Sequence, residues 1–375
     1  MNNLVITHAE AFVTGPDVPR CRLAEDMGEV YETLTLLRLT TACGLEGFAG
    51  ITTYSEHCFD ESLGAALKPL LAGLPGKNVR DISAIWQYMM SRYNPMTPKP
   101  QSAIDIALWD LQAKSQNLPL YQLLGGSPAN DSIPSYASTP LLDTPAEYVD
   151  FVRDLQTQGF DTVKFHLWCE PEKDMQLLKT IEEVFGNQLA FMIDLEERYS
   201  LEDALIISRQ LEKMNCIWLE APLPDTDLKG YAELRARTSV TVIPAGNTLL
   251  TPEMLSLAID NHSWDSLRAD VTYAGGFTGT RRLAELAAQH DMSIELQSWG
   301  YTATQAANLH LMLAISNTGY FEQPVPYSSH EAFCSTPIRT QSGRVKAPQG
   351  PGLGIKINWQ QVAEQAFWHF ETGSR

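Results

Sequence analysis

The sequence predicts an α/β protein, a closed parallel (β/α) barrel preceded by a smaller α+β unit. Three observations carry this expectation. Eight short β-prone runs follow residue 132, and from the second onward they recur about every 25–28 residues. A helix-like segment separates each consecutive pair, which is the βα unit of a parallel sheet. The runs are too apolar to be half-exposed, so both faces of each strand must be covered, as in a barrel ringed by helices. A doubly wound open sheet is the competing arrangement, and no Gly-x-Gly-x-x-Gly turn supports it.

Within residues 1–125, the run 30–39 (VYETLTLLRL) reads as a strand in an early hairpin that ends at Gly47-Phe48-Ala49-Gly50. Residues 15–28, rich in Pro, Asp and Gly, read as a mobile loop. Residues 66–74 and 82–92 read as helices. Residues 103–115 read as a strong helix, because Ile104, Ala107, Leu108 and Leu111 repeat at i, i+3, i+4 and i+7. Gly125-Gly126 punctuates the end of this unit. The barrel, 126–330, then takes strands at 133–136, 162–165, 189–193, 216–219, 241–244, 266–269, 293–296 and 319–321. Its helices fall at 145–156, 172–184, 201–214, 231–236, 252–259, 279–290 and 303–315. The tail, 331–375, carries turn signals at Pro337, Gly343, Pro348 and Pro351-Gly352. Its aromatic residues Trp359, Phe367, Trp368 and Phe370 must pack on something, and the N-terminal unit is the expected partner.

The 375 residues are 44% hydrophobic and 19% charged, an ordinary globular composition. With 27 basic and 45 acidic residues the formal charge is −18, which repels phosphate backbones and argues against a nucleic-acid partner. No signal-peptide pattern opens the chain, and no apolar run reaches the roughly 18 residues that span a bilayer. The expectation is therefore a cytoplasmic protein with no membrane partner. The six cysteines lack Cys-x-x-Cys spacing and read as reduced thiols. A small carboxylate ligand and a homo-oligomeric state are expected.

In such barrels the chemistry lies at the C-terminal ends of the strands. Here those ends are polar from the second strand to the eighth: Lys164 and His166, Asp194 and Glu196, Glu220, Asn247, Asp270, Gln297, Glu322. A single acid at such a place also reads as the N-cap of the next helix. The ring as a whole reads as a site. Residues i and i+2 of a strand share a face, so Lys164 and His166 point one way, as do Asp194 and Glu196. The carboxylates Asp194, Glu196 and Glu220 on adjacent strands would repel one another without a cation between them. Hard oxygen donors favour Mg²⁺.

The helix and turn AIDIALWDLQAKSQNLPLYQLLGG, with the strand endings VKFH, MIDLEERYS, WLEAPLP, IPAGN, RADVTYAGG and ELQSWG, resemble the enolase superfamily, in particular its mandelate racemase-like subgroup with the acid-sugar dehydratases. The resemblance spans essentially the whole chain. It implies a modified (β/α)7β TIM-like barrel with an N-terminal α+β capping domain, and a C-terminal segment returning to the cap. Loops near 15–28 and 51–60 would close over the substrate. It further implies Asp194 and Glu220 as Mg²⁺ ligands, Lys164 as the first lysine of a Lys-x-Lys base motif, Asp270 as the acidic half of an Asp/His dyad, and Glu322 near the substrate carboxylate.

Three positions depart from that pattern. Asn247 stands where the third metal ligand is usually Glu, His166 where the second base is usually Lys, and Gln297 where the dyad histidine usually stands. Glu196 occupies a place where the family often has Asn, so it is expected to replace the missing charge at the metal; pairing with Arg198 is the other role open to it. Gln297 cannot take a proton, which disfavours two-sided proton transfer. The expected reaction is removal by His166 of the proton α to a carboxylate, then loss of a β-hydroxyl: dehydration of an acid sugar or related hydroxy acid. Racemisation, epimerisation or cycloisomerisation on the same scaffold, a carboxylate-binding protein without catalysis, and a Schiff-base reaction at Lys164 are the alternatives. Gln297, Tyr273, Trp299 and Tyr301 lie near strand ends as candidate pocket residues, and Arg20, Tyr54, His57 and Arg92 are candidates for specificity.

Overall fold

The computed structural model describes residues 3–25, 27–55, 58–92 and 98–372. The N-terminal part begins with strands β1 (Ile6–Thr14), β2 (Tyr31–Thr41) and β3 (Glu46–Ser55). They are rich in Thr, Leu and aromatic residues that suit a pleated, half-buried surface. They form an antiparallel meander, with Thr14 opposite Leu34 and Tyr31 opposite Ser55. Helices α1 (Ser62–Leu71), α2 (Ile82–Arg92), α3 (Lys99–Ser115) and α4 (Leu120–Leu123) follow.

Gly47-Phe48-Ala49-Gly50 does not end the hairpin, as its composition suggested; it lies inside β3, and the turn falls at 42–45. The glycines are there for close packing. A Cβ on Gly47 would strike Leu111 of α3 and stand 2.6 Å from the Ala107 carbonyl, and one on Gly50 would stand 2.5 Å from Ala303 of the barrel. Residues 51–55, expected to lie in a loop, are therefore part of strand β3. Helix α3 is buried on nearly every face because it is wedged between this sheet and the barrel.

The barrel is built from β4 (Ser132–Ser138), α5 (Pro145–Thr157), β5 (Thr162–His166), α6 (Pro171–Phe185), β6 (Ala190–Asp194), α7 (Leu201–Leu211), β7 (Cys216–Glu220), α8 (Leu228–Arg237), β8 (Val242–Ile243), α9 (Pro252–Asp260), β9 (Ser266–Ala269), α10 (Gly276–Gln289), β10 (Ser293–Leu296), α11 (Thr302–Met312) and β11 (Phe321–Pro324). The helix starts follow local chemistry. Thr144 and Glu147 form a reciprocal capping box at α5, and Ser200 and Thr251 cap α7 and α9. Strands β11, β4, β5, β6, β7 and β8 pair in that order, all parallel, while β9 and β10 form a second parallel pair. Hydrogen bonds bridge the two groups, among them Asp265 N to the Val242 carbonyl (2.9 Å) and Ser298 Oγ to the Glu322 carbonyl (2.8 Å). The result is the modified (β/α)7β barrel with an α+β cap.

The tail contributes β12 (Arg344–Lys346), antiparallel on the first turns of β4, then α12 (Trp359–Gln365) and β13 (Ala366–Glu371). Strand β13 extends the cap sheet by pairing with β1, and Trp359 packs near Phe12 and Phe48. Phe367 stays exposed, unlike its aromatic neighbours. All six cysteines are free thiols. Among the described residues, no helix is long and apolar enough to cross a membrane.

Candidate active site

The parallel register sets His166 beside Asp194 and Asp194 beside Glu220, so three neighbouring strands present these side chains at the same level of the barrel mouth. One layer below, Lys164 enters the barrel axis. Its Nζ lies 3.0 Å from Asp194 Oδ2, 2.9 Å from Glu220 Oε1 and 3.0 Å from Glu322 Oε1. The chain brings a second cation here that sequence reasoning missed. Arg268, 1% exposed, places Nη2 2.9 Å from Glu220 Oε1 and 3.2 Å from Glu322 Oε2. It stands two residues before Asp270, on an apolar strand, and that i−2 spacing from a strand-end acid is the only signal that pointed to it.

These contacts set the charge states. Burial opposes the ammonium of Lys164, but Glu220, Glu322 and Asp194 hold it well above the usual lysine range. Glu322 is likewise opposed by burial, yet Lys164 and Arg268 hold its carboxyl down at about 2. Its oxygens also accept from Ser138 Oγ (2.9 Å) and Ser298 N (3.1 Å), so it is a fixed acceptor. Asp194 is held down by Lys164 and His166 against its own burial. Burial and the neighbouring Asp194 push Glu196 well up. Four buried or half-buried carboxylates thus face two cations, leaving an excess of two negative charges when all are ionised.

His166 is oriented by its backbone neighbour. Its Nδ1 lies 2.5 Å from the Thr139 carbonyl, which can only accept, so Nδ1 carries the hydrogen and Nε2 the lone pair. Nε2 is 3.3 Å from Glu196 Oε1 and 3.7 Å from Asp194 Oδ2. Burial first, then Lys164, lowers the imidazole pKa and keeps it neutral. The ligand atoms of His166, Asp194 and Glu196 lie within 4.8 Å of one another. The Trp299 ring stands edge-on to His166 at 5.4 Å, and its indole N–H donates to Glu32 of the cap (3.2 Å).

The chain matches two family models: "Enolase C-terminal domain-like" over residues 147–362, and "Mandelate racemase / muconate lactonizing enzyme, N-terminal domain" over 10–125. It belongs to the mandelate racemase/muconate lactonizing enzyme family of the enolase superfamily. A Pseudovibrio sp. crystal structure assigned to this family is 35% identical over the whole of both chains, with a TM-score of 0.96. A D-galactonate dehydratase family member from Enterococcus gallinarum is 27% identical over 331 residues, 79% of this chain and 80% of that one. D-galactarolactone cycloisomerase from Agrobacterium fabrum is 26% identical over 314 residues, 78% and 81% of the two chains.

On the far side of the mouth, Asn247 Oδ1 accepts from Gln297 Nε2 (2.8 Å), so the two residues expected to depart from the family pattern there pair with each other. Both line a cavity of about 90 Å³ with Lys164, His166, Asp194 and Glu196. Glu220, Glu322, Trp299 and Tyr54 line it too, with Leu23 and Met27 covering it from the segment 15–28. Asp270 lies outside this lining: its Oδ1 accepts from Thr272 N (2.6 Å), Thr272 Oγ1 (2.8 Å) and Asn308 Nδ2 (2.9 Å), and burial raises its pKa to about 6. Arg20 also lies outside the lining, exposed, with its guanidinium over the Tyr31 ring at 4.7 Å. Tyr301 is buried and its hydroxyl donates to the Glu32 carbonyl (3.0 Å), joining cap to barrel. Tyr273 faces Lys99 at 4.1 Å. His57 and the side chain of Arg92 lie outside the described residues.

Proposed function

We propose that this chain removes the proton α to the carboxylate of an acid sugar or related hydroxy acid and expels the β-hydroxyl, a hydro-lyase reaction giving a 2-keto acid. The observation that carries the reading is the fixed tautomer of His166. The Thr139 carbonyl commits Nδ1–H, burial and Lys164 keep the ring neutral, and Nε2 is left as a lone pair at the cavity. A neutral imidazole with its lone pair at the cavity can serve as a general base. Lys164 stays charged and serves as a cation for the developing negative charge, because three carboxylates hold its proton. Across the cavity, Gln297 and Asn247 offer amides that neither take nor give a proton, and Asp270 lies outside the lining with Oδ1 held by Thr272 and Asn308. One-sided proton removal favours elimination over racemisation.

The donor set fits a divalent cation, and we assign Mg²⁺. Asp194 and Glu196 would hold it, with Glu220 beside them and Asn247 at the rim; the two excess negative charges match its charge, and the donors are hard oxygens. When bound, the ion supplies positive charge to an α-deprotonated carboxylate. Glu220 has both oxygens engaged, Oε1 by Lys164 and Arg268 and Oε2 by the Trp218 indole N–H (3.0 Å), which makes Glu196 the more available carboxylate. Cycloisomerisation is the second reading, favoured by the relative that is a D-galactarolactone cycloisomerase. Incubation with a panel of aldonic and aldaric acids plus Mg²⁺, assayed for 2-keto acid, tests the proposal. Keto-acid formation is the expected result. Ring-opened or epimerised product without keto acid would reject the lyase reading.

A further inference from the structure

We propose that Glu32 of the cap sheet is a positioning residue for His166: it holds the Trp299 indole, and the indole sets the tilt of the imidazole. The proposal rests on the reading of His166 as the base and extends it across the boundary between cap and barrel. Glu32 stands near the start of β2, directly opposite Tyr54 of β3, which lines the cavity. Its side chain is buried. Oε1 accepts from the Trp299 indole N–H (3.2 Å), and Oε2 has no hydrogen-bond partner among the described residues. His330 Nδ1 is 3.8 Å from Oε2, beyond a hydrogen bond. A buried carboxyl satisfied at one oxygen costs stability. An apolar side chain would serve the packing better, so what Glu32 supplies here is the bond to the indole.

The loop that carries Trp299 is held to the cap at three points. Tyr301 N donates to Thr52 Oγ1 (3.1 Å), the Tyr301 hydroxyl to the Glu32 carbonyl (3.0 Å), and the Trp299 indole to the Glu32 side chain. Gly300 permits the close approach: its φ is +139°, and a Cβ there would stand 2.5 Å from Thr52 Oγ1. The first two bonds anchor the backbone and the tyrosine. The third reaches the ring that touches the base. Trp299 lies between two imidazoles, edge-on to His166 at 5.4 Å and to His330 at 5.0 Å. Edge-to-face contacts are directional, so a rotated indole would no longer meet His166 in the same way. Burial holds His330 neutral, with its pKa lowered to about 3, and neither of its ring nitrogens has a hydrogen bond among the described residues. It is a wall behind the indole. The Thr139 carbonyl fixes Nδ1 of His166, and the indole held by Glu32 fixes the plane of the ring.

The test uses the full chain with its histidines labelled at ring Cε1, the His166 resonance being assigned by its loss in His166→Gln. Glu32→Leu keeps the volume and removes the acceptor, whereas Glu32→Gln keeps an acceptor oxygen in the same place. Tyr301→Phe removes a different hydrogen bond between loop and cap and leaves the indole bond intact, so it controls for a merely structural role. The His166 resonance is expected to move in Glu32→Leu, to return to its wild-type position in Glu32→Gln, and to stay there in Tyr301→Phe. With a substrate that yields keto acid, Glu32→Leu should lower kcat on the order of 10²-fold with KM within a few-fold, and Glu32→Gln should restore it. Trp299→Phe, an aromatic ring without the N–H donor, should also lose kcat. An unmoved His166 resonance in Glu32→Leu, or equal movement in Tyr301→Phe, would overturn the proposal. So would unchanged kcat in both Glu32→Leu and Trp299→Phe. Absence of keto acid from the wild type would instead reject the lyase reading, and the resonances would still decide the role of Glu32.

Discussion

Replacing Arg268 by methionine keeps most of the side-chain volume and removes one charge from the barrel axis. The guanidinium is 1% exposed and contacts Glu220 at 2.9 Å and Glu322 at 3.2 Å, so both carboxylates would be left to Lys164 alone. Removing one partner from a buried ion pair costs about 3–5 kcal/mol. At roughly 2–4 °C per kcal/mol for a barrel-sized unit, the melting temperature should fall by about 6–20 °C. The pH dependence gives a sharper signature. Glu322 is held at about 2 against an ordinary value of 4.5, a depressed carboxyl. Its stabilisation is present above 4.5 and lost as pH falls through about 2. The gap between wild type and Arg268→Met should therefore be full at pH 7 and should narrow as pH falls below 4.5. Urea unfolding followed by circular dichroism at pH 7 and pH 3.5 measures both. A loss under about 1 kcal/mol at pH 7, or a gap that does not narrow, would refute the argument from buried charge.

Other consequences are open to direct measurement. Asp105 joins α3 to α10 through Thr278, and burial raises its pKa to about 7 from 3.8. That contribution is full below 3.8 and lost as pH rises through about 7, so Asp105→Asn should gain on wild type between pH 4 and 7 in the same unfolding assay. A parallel pH course for the two proteins would contradict it. Gly47→Ala should cost about 1–3 kcal/mol, because the new Cβ meets Leu111 and the Ala107 carbonyl, whereas Gly73→Ala, with its nearest neighbour at 3.5 Å, should cost little. Glu196→Gln should weaken Mg²⁺ binding measured by calorimetry; unchanged affinity would remove Glu196 from the ion.

The alternation of strand and helix was legible because each barrel strand is a short apolar run, and all eight lie within a few residues of their expected places. Lys164, His166, Asp194 and Glu220 were legible as strand ends, and parallel register does the rest. Other features were not. Gly47 and Gly50 carry the same letters as turn glycines, and only the approach of α3 and α11 distinguishes them. Arg268 sits within a strand that reads as apolar, and its partners are 48 and 54 residues away in sequence, so nothing local announces the contact. The pairing of Asn247 with Gln297 is of the same kind, two departures 50 residues apart that meet across the barrel mouth. Arg20 reads as a specificity residue by charge and loop position, yet Tyr31 offers its guanidinium a nearer π-face.

The central claim is that His166 alone moves the α-proton. Proton NMR of the wild type and of His166→Ala, each with an acid-sugar substrate and Mg²⁺ in D₂O, tests it most directly. The account predicts keto-acid product from the wild type with solvent deuterium at the former β-carbon, no inversion at the α-carbon of recovered substrate, and a loss of about 10²–10⁴-fold in rate for His166→Ala. Turnover by His166→Ala within a few-fold of wild type, or recovered substrate that is deuterated and inverted at the α-carbon, would contradict it.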